Sequence, residues 1–305
     1  MKATLKDWLL LAALGLIWGA AFPATRLATA DFTPLTLAGL RLGIGALALG
    51  CVLLIRREAL PSLSERRFWV FALGAAIMTN SMPFTLLSWA QRHIDSGFAG
   101  VAVATVPLFV LPMAHLLIPG ERMTWRKTVG FLLGFVGIVI LIGPDVLNGI
   151  GANAVILLAQ LACLGTAFCY ASGSIIAKRA PDLGLLQFGA AALILAACIS
   201  LPLALMVEGL PATAPSLPGL ASIAYLGLIP TGLAMVMLLM VIASAGPSFL
   251  SMVNYQVPIW AVLFGVLFLG EEPSPRLGIA MVVIFLGLAI SQGLVGLRRG
   301  GHARG

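Results

Sequence analysis

The sequence predicts an all-α polytopic membrane protein with ten transmembrane helices, arranged as two inverted five-helix repeats. Three observations predict this fold: the composition, the length of the apolar runs and an internal repeat. Hydrophobic residues make up 60% of the 305 positions and charged residues 10%, and the mean hydropathy is +1.07. Because so few polar residues cannot cover a water-soluble body, the chain is expected to lie in a lipid bilayer.

Ten apolar runs of about 18 to 26 residues follow one another, and each can cross roughly 30 Å of hydrocarbon as a helix. The runs are continuously apolar, which favours helices over the alternating strands of a membrane barrel. Connecting segments of about a dozen residues at most leave no room for a separate soluble domain. The predicted spans are residues 7–29, 33–55, 68–90, 96–118, 126–143, 153–177, 184–207, 217–242, 248–270 and 276–297.

The chain repeats itself at an offset of about 151 residues, which predicts two homologous units of five spans, residues 1–145 and 150–305. An odd number of spans per unit makes the second unit cross the membrane in the opposite sense. Such inverted repeats are typical of carriers that open one central site alternately to either side. The related positions are Trp18 and Tyr170, Arg26 and Lys178, Val106-Pro107 and Val257-Pro258, and Gly120-Glu121 and Gly270-Glu271.

The formal net charge of +7 could indicate a nucleic-acid partner, but the basic residues are scattered over short connecting segments. They follow the positive-inside pattern instead, in which cytoplasmic loops carry the excess of Lys and Arg. With a cytoplasmic N-terminus, fourteen basic residues fall on the cytoplasmic side and only Arg92 and Arg276 on the other. The sequence therefore predicts a multi-pass protein of the plasma (inner) membrane with both termini cytoplasmic.

A set of motifs along the chain resembles the drug/metabolite transporter superfamily, in its ten-helix branch with two EamA-type domains. The motifs are the aromatic-Gly start at Trp18, the base Arg26 after it, Arg41 in the second span, and a Pro followed by Gly-Glu in both units. The resemblance covers nearly the whole chain. It implies export or exchange of small metabolites, often amino acids or related compounds. It also implies a central cavity lined by spans 1, 3, 4, 6, 8 and 9, with spans 5 and 10 peripheral.

Arg41 lies about eight residues into the second span, where a charge is costly unless it is solvated or paired. A guanidinium can grip a carboxylate or phosphate of a substrate with two hydrogen bonds. The alternative is a structural pair or a carbonyl cap. For Arg26, nearer the outer end, a structural role is favoured, with Asp31 as its expected partner. No Arg stands opposite Arg41 in the second unit, so the charged site is not expected to be symmetric.

Polar residues and prolines near the middle of the third span predict a broken helix. Asn80 and Ser81 precede a proline there, and the eighth span has Thr231 at the matching place. Broken helices free backbone groups that can bind a solute, so Asn80 and Ser81 are expected in the cavity; an interhelical hydrogen bond is the alternative. The four prolines expected to act as hinges or gates are Pro83, Pro107, Pro230 and Pro258.

The ninth span carries the most polar intramembrane segment, "SMVNYQVPIW". Helical spacing predicts that Ser251, Asn254 and Tyr255 share one face with Pro258 and recognise a small polar molecule. Helix packing is the alternative. The matching face of the fourth span is nearly apolar, so the cavity is expected to be polar on one side only.

Aromatic residues are expected to shape the same cavity, and two of them, Trp18 and Tyr170, occupy duplicated positions. Trp18, Phe22 and Tyr170 can pack against an apolar or cationic part of a substrate, and bundle packing is the alternative. Glu121 and Glu271, each after the Gly that ends a span, are expected to anchor loops or helix starts. For His115, a role as a hydrogen-bonded side chain is favoured over a role as a proton carrier.

Several absences narrow the function. No Asp or Glu falls near the middle of a span, so coupling through a buried acid is not expected. No HExxH motif occurs, and none of His93, His115 and His302 is placed deep in a later span, which speaks against an intramembrane enzyme. A channel is disfavoured because the chain lacks a charged ring or a carbonyl filter motif. The four cysteines form no CxxC pair and are expected to pack as small apolar residues.

The sequence thus predicts an alternating-access transporter, not an enzyme, that exports small metabolites such as amino acids or related compounds. A multidrug carrier for cationic or lipophilic compounds is the alternative. The expected partners are a small-molecule substrate and the lipid bilayer, with no nucleic acid, and a homodimer is left open. Neither a cofactor nor a metal ion is expected.

Overall fold

Every regular element in the described part of the chain, residues 3–143, 154–180, 184–210 and 213–294, is helical in the computed structural model. Ten helices correspond to the ten predicted spans, and a one-turn helix, Pro247–Leu250, precedes the ninth. The ten helices are α1 Leu5–Ala28, α2 Pro34–Arg56, α3 Arg66–Ala90, α4 Ser96–Leu117, α5 Trp125–Ile142, α6 Ala154–Arg179, α7 Leu185–Val207, α8 Leu217–Ala245, α9 Val253–Leu269 and α10 Pro275–Ser291.

These helices confirm the predicted all-α polytopic fold. Among the described residues, eight helices are long and apolar enough to cross a membrane, and α9 and α10 are shorter apolar helices of 17 residues. The predicted start of the ninth span at residue 248 is wrong for the long helix, which begins at Val253 after a turn. Hydropathy does not register a backbone turn inside an apolar run. The predicted link between the units, residues 145–150, lies outside the described residues.

Local capping explains where several helices begin. The side chain of Thr4 accepts a hydrogen bond from the backbone N–H of Asp7, and the Asp7 carboxylate accepts one from the backbone N–H of Thr4 in return. Thr124, Ser216 and Ser274 cap α5, α8 and α10 by accepting from the third backbone N–H of each helix. Such caps satisfy N–H groups that have no partner within the helix.

The third and eighth helices are not interrupted at the predicted breaks. Both continue there through a π-helical segment, whose turns are wider than those of an α-helix. The segments are Ala76–Ser81 in α3 and Leu228–Leu233 in α8, which lie 152 positions apart like the other repeat-related residues. In each, a side chain donates to the carbonyl five residues earlier, from Asn80 at 3.4 Å and from Thr231 at 2.8 Å. These bonds partly replace the backbone pattern of an α-helix and keep the chain helical.

The helices pack in pairs that repeat between the two halves. α5 packs on α10, and α2 packs on α7, so each meets its counterpart. α1 packs on α8 and α9, and the equivalent α6 packs on α3 and α4. Exchanging the halves maps these main contacts onto themselves or onto one another, as expected for two units related by a pseudo-two-fold axis. The exact unit boundaries stay a prediction.

Glycines allow the closest of these contacts. A Cβ atom on Gly130 of α5 would meet the backbone oxygen of Gly287 on α10. A Cβ on either Gly39 or Gly43 of α2 would lie 3.2 Å from the side chain of Leu201 on α7. Small residues at four-residue spacing thus let the paired helices approach closely, as they do in other membrane bundles.

Candidate functional site

A cavity of about 330 Å³ lies at the centre of the bundle. Residues from α1 to α4 and from α6 to α9 line it, whereas no described residue of α5 or α10 does. The resemblance implied six lining helices; the structure adds α2 through Arg41 and α7 through Leu193. Most of the wall is apolar or aromatic. The polar side chains that line it are Arg41, Thr79, Asn80, Tyr170, Thr231 and Asn254.

Arg41 is the one charged side chain among the described lining residues, and it is only 7% exposed. Its Nε donates a hydrogen bond of 3.0 Å to the hydroxyl of Thr231. The guanidinium carbon lies 3.8 Å from the ring centre of Phe84, a cation–π contact. No carboxylate of the described residues forms an ion pair with Arg41. Its two terminal nitrogens therefore remain available to an anion in the cavity.

Thr231 orients this guanidinium from the π-helical segment of α8. Its hydroxyl donates to the carbonyl of Leu226 and accepts from Arg41, so both sides of the hydroxyl are used. Thr79, the repeat counterpart of Thr231 on α3, lines the same cavity. Neither threonine was predicted to be a site residue. The repeat offset of 152 between them was the signal that could have found them.

Trp18 fixes α1 against the π-helical segment of α8. The indole Nε1 donates a hydrogen bond of 3.1 Å to the carbonyl of Pro230, and the indole lines the cavity. The hydroxyl of Tyr225 donates to the carbonyl of Ile17 at 2.9 Å across the same interface. Of the predicted substrate-binding residues, the structure brings together Trp18, Phe22, Arg41, Asn80, Tyr170 and Asn254.

Three predicted binding residues lie outside this cavity. The Ser81 hydroxyl donates to the carbonyl of Ala196 on α7 at 3.4 Å, which is the interhelical bond that was the alternative. Ser251 is partly buried in the turn before α9. The ring of Tyr255 packs edge-on to Phe285 of α10, with centroids 5.5 Å apart. The predicted shared face was wrong because consecutive helical residues such as Asn254 and Tyr255 point about 100° apart.

The prolines occupy different places. Pro230 lines the cavity, whereas Pro83, Pro107 and Pro258 do not. Pro107 follows a turn at residues 104–105 that interrupts α4. Pro258 lies buried within α9, and Pro83 follows the π-helical segment of α3. Their role as hinges stays a prediction.

The sequence profile of the EamA-like transporter family matches the chain twice, over residues 6–143 and 157–292. The chain belongs to the EamA-like transporter family. The resemblance to the EamA branch of the drug/metabolite transporter superfamily is thereby confirmed. The protein is a multi-pass membrane transporter.

Relatives extend over nearly the whole transporter. YedA of Escherichia coli (strain K12), named an inner membrane transporter, is 30% identical over 281 residues, which are 91% of this chain and 88% of YedA. YoaV of Bacillus subtilis (strain 168), named a transporter, is 28% identical over 274 residues, 90% of this chain and 92% of YoaV. A "Probable terminal-alkyne amino-acid exporter" of Streptantibioticus cattleyicolor is 28% identical over 311 residues, 98% of this chain and 97% of the relative.

A solved structure shares the fold of the transporter. It is a crystal structure titled only as that of a protein, and its TM-score is 0.67 at 22% sequence identity. The match covers 96% of this chain and 98% of that one. At this identity the likeness shows the fold alone.

Arg26 does not pair with Asp31, the partner suggested by the sequence. Arg26 pairs with Asp95 at 3.6 Å and donates to main-chain carbonyls of the loop before α4. Asp31 instead accepts hydrogen bonds from the backbone N–H of Ser216 at 3.1 Å and from its hydroxyl at 2.6 Å. These bonds lower the pKa of the Asp31 carboxyl. Sequence proximity misled here, because the turn after α1 directs Asp31 towards the start of α8.

Glu121 and Glu271, which are related by the repeat, form hydrogen bonds at opposite ends of the transporter. Glu271 accepts from the backbone N–H of Ser96 at 2.8 Å and from its hydroxyl at 3.0 Å, so it caps α4 from the other half. Glu121 accepts from Lys178 at 2.8 Å and from Lys127 at 3.2 Å. Those two ammonium groups lower the pKa of the Glu121 carboxyl. His115 lies beside it, with Nδ1 3.2 Å from the Glu121 carbonyl oxygen.

Proposed function

We propose that the protein exports small metabolites that carry an anionic group, such as amino acids or related compounds, by alternating access. The observation that carries this proposal is Arg41. A buried guanidinium without a carboxylate partner among the described residues is costly, and an anionic ligand would remove that cost. Because Thr231 and Phe84 hold only one edge and one face of the group, its terminal nitrogens can form two parallel bonds to a carboxylate.

The rest of the cavity suits the remainder of such a molecule. Asn80 and Asn254 offer amide donors and acceptors, and Tyr170 offers a phenol. Aromatic walls from Trp18 and Phe22 can pack against an apolar side chain. A volume of about 330 Å³ matches the lower end of typical small-molecule sites. That a relative is named an amino-acid exporter agrees with this substrate class.

Alternating access is supported by the exchange symmetry of the helix contacts. One end of the bundle, where α1 ends, is held together by bonds between the halves. There, carboxylates of Asp31 and Glu271 cap α8 and α4, and Glu208 accepts from the backbone N–H of Thr36. Rocking of one half against the other would exchange these contacts for equivalent ones at the opposite end. The excess of Lys and Arg in loops at the N-terminal end supports a cytoplasmic N-terminus.

A carrier for lipophilic cations is the second candidate, because four aromatic side chains line the cavity. Trp18, Phe22, Phe84 and Tyr170 could each present a ring face to a cation. Against this, Arg41 would repel such a ligand, and no carboxylate occurs among the described lining residues. The anion proposal therefore takes precedence.

Counterflow in proteoliposomes tests the proposal. Purified protein would be reconstituted, and uptake of labelled phenylalanine, phenylacetate and the lipophilic cation tetraphenylphosphonium would be measured. We expect saturable counterflow of at least one carboxylate, reduced about 10-fold or more in Arg41→Gln and less in Arg41→Lys, which keeps the charge but lacks the planar fork. Arg67→Gln, at an exposed position outside the cavity, is the matched control. Cation counterflow that Arg41→Gln leaves intact or improves, without carboxylate counterflow, would overturn the proposal.

A further inference from the structure

Two further pockets lie at opposite ends of the bundle and carry opposite charges. The basic pocket, of about 200 Å³, is at the end where α1 begins; the acidic pocket, of about 520 Å³, is at the far end. The charged residues that line the basic pocket are Glu121, Arg122, Lys127 and Lys178. Those that line the acidic pocket are Arg26, Asp95, Glu271 and Glu272.

The two pockets are related by the internal repeat. Lys178 follows Arg26 by 152 positions, and Glu271 follows Glu121 by 150. Each pocket thus combines the basic residue near the end of the first helix of one half with the glutamate that follows a Gly in the other half. At the next position the repeat departs from itself, because Arg122 in the basic pocket corresponds to Glu272 in the acidic pocket. The difference in charge is therefore built into equivalent places of one architecture.

The basic pocket continues the central cavity towards the N-terminal end. On α4, Val110 lies one helical turn beyond Val106, which lines the cavity. On α6, Ser174 and Lys178 lie one and two turns beyond Tyr170. Residues four apart share a helix face, so the same groove between α4 and α6 passes from cavity to pocket.

The acidic pocket has the equivalent relation to the far end of the cavity. Arg26 lies one helical turn beyond Phe22 on α1, Ala30 lies in the turn that follows the helix, and both line the acidic pocket. Both pockets are therefore placed as vestibules, one on each side of the central cavity.

The charges in the two pockets do not cancel. In the basic pocket a single carboxylate, Glu121, is shared by Lys127 and Lys178, and Arg122 has no partner among the described residues. In the acidic pocket Arg26 pairs with Asp95, while Glu272 forms no ion pair within the described ranges. Glu271 is a further carboxylate in this pocket. Partial burial and the charge of Glu271 raise the pKa of the Asp95 carboxyl. Concave sites lined by one sign of charge raise the local concentration of the opposite ion.

We infer that the basic pocket is a binding vestibule for small organic carboxylates, which it collects before they reach Arg41, and that the acidic pocket disfavours their return. This inference rests on the proposed function of the central cavity. A substrate carboxylate can replace Glu121 on Lys178, because both are anionic ligands of the same ammonium group. Such replacement would also release the link between α6 and the loop before α5. The opposite charges of the two pockets affect the affinity for the substrate and its entry rate at each face of the membrane, whereas the substrate gradient determines the net flux.

Transport measured from each face separately provides the first test. Proteoliposomes of defined orientation would be used with phenylacetate as the probe, at about 20 mM and about 500 mM salt. We expect Arg122→Glu to raise the KM at the N-terminal face about 5- to 10-fold at low salt, with kcat unchanged and the effect largely lost at high salt. Arg67→Glu, a charge reversal at the same end but outside the pocket, should leave the KM unchanged. An unchanged KM in Arg122→Glu would overturn the inference.

A second test does not depend on transport. Ala114→Cys in the basic pocket and Ala30→Cys in the acidic pocket would be made after replacing the exposed Cys51 and Cys198 by Ala. Anionic and cationic methanethiosulfonate reagents of similar size would be compared at each cysteine. We expect the anionic reagent to react at least about 5-fold faster relative to the cationic one at position 114 than at position 30.

The two tests separate the possible failures. Arg122→Glu should largely remove the reagent preference at position 114, and Glu272→Arg should do so at position 30, because each change brings the summed formal charge of its pocket to about zero. If the preferences follow the charges but no carboxylate is transported, the proposed function fails while the basic pocket remains an anion-binding site. If both positions show the same preference, or phenylacetate fails to slow modification at position 114, the vestibule inference is overturned even if transport occurs.

Discussion

Arg41 of α2 and Thr231 of α8 are joined by a hydrogen bond of 3.0 Å across the interface between the two halves of the transporter. Thr231 in turn donates to the carbonyl of Leu226, whose usual helical donor would be the backbone of residue 230, a proline without an N–H. Thr231, in the π-helical segment of one half, thus orients Arg41 from the other half, the one charged side chain among the described residues that line the central cavity. This relationship makes the threonine a positioning residue for the guanidinium.

Replacing Thr231 by Val should impair substrate binding and lower stability. The methyl group keeps the shape, but Arg41 loses an acceptor and Leu226 a donor. We expect the KM for carboxylates to rise about 5- to 10-fold and the free energy of unfolding to fall by about 1–2 kcal/mol. Thr85→Val, which removes a hydroxyl that donates to the carbonyl of Ser81 outside the cavity, is the control. Counterflow kinetics and thermal unfolding in detergent would measure both; equal effects in the two variants would contradict the positioning role.

Asn254 and Tyr255 should respond differently to substitution, although they are neighbours. Asn254→Ala removes an amide from the cavity wall and should reduce counterflow about 5-fold or more while leaving membrane insertion intact. Tyr255→Phe should leave transport unchanged, because the ring packs on Phe285 away from the cavity. It should also stabilise the fold by about 1 kcal/mol, because the buried hydroxyl has no hydrogen-bond partner among the described residues. Loss of transport in Tyr255→Phe would show that the hydroxyl meets substrate.

Trp18→Phe should separate the hydrogen bond of the indole from its ring. Phe retains an aromatic wall for the cavity but cannot donate to the carbonyl of Pro230. We expect the free energy of unfolding to fall by about 0.5–1.5 kcal/mol. Trp8→Phe, at an exposed aromatic position near the start of α1, is the matched control. A fall in stability no larger than that of the control would indicate that the bond contributes little.

The close contact between α5 and α10 should be sensitive to a single methyl group. Gly130→Ala would place a Cβ against the backbone oxygen of Gly287, and we expect a loss of about 2 kcal/mol or more in the free energy of unfolding. Gly278→Ala, on the same helix pair but with no atom within 4 Å of the added Cβ, should be neutral or stabilising. Thermal unfolding of both variants in detergent measures the difference. Similar curves would argue against the tight pairing.

Stability should fall in acid through Glu208, whose carboxylate caps the start of α2. Partial burial would raise the pKa of this carboxyl, but hydrogen bonds from Thr33, Leu35 and Thr36 outweigh it and lower the pKa below its usual 4.5. A pKa lowered by folding adds stability above the unfolded-state pKa, and that stability is lost as pH falls through the folded-state pKa. Melting temperatures between pH 3 and 7 should therefore drop below about pH 4.5 less steeply in Glu208→Gln than in the natural chain. Parallel pH profiles would exclude this contribution.

The ten-helix fold and the family could be predicted from the sequence, because both depend on patterns that are visible along the chain. Apolar runs of membrane length predict helices directly, and a repeat at a constant offset survives in pairs such as Trp18 and Tyr170. Arg41 was also recognisable, since a charge in an apolar run is unusual wherever the helix packs.

Only the tertiary structure decided which neighbours face the cavity. Asn254 lines it and Tyr255 does not, because helix rotation and the late start of α9 set the direction of each side chain. The partner of Arg26 is Asp95 and not the nearer Asp31, because loops from distant spans converge at one end of the bundle. Spacing along the chain specifies a face of a helix, but packing between helices determines what that face meets.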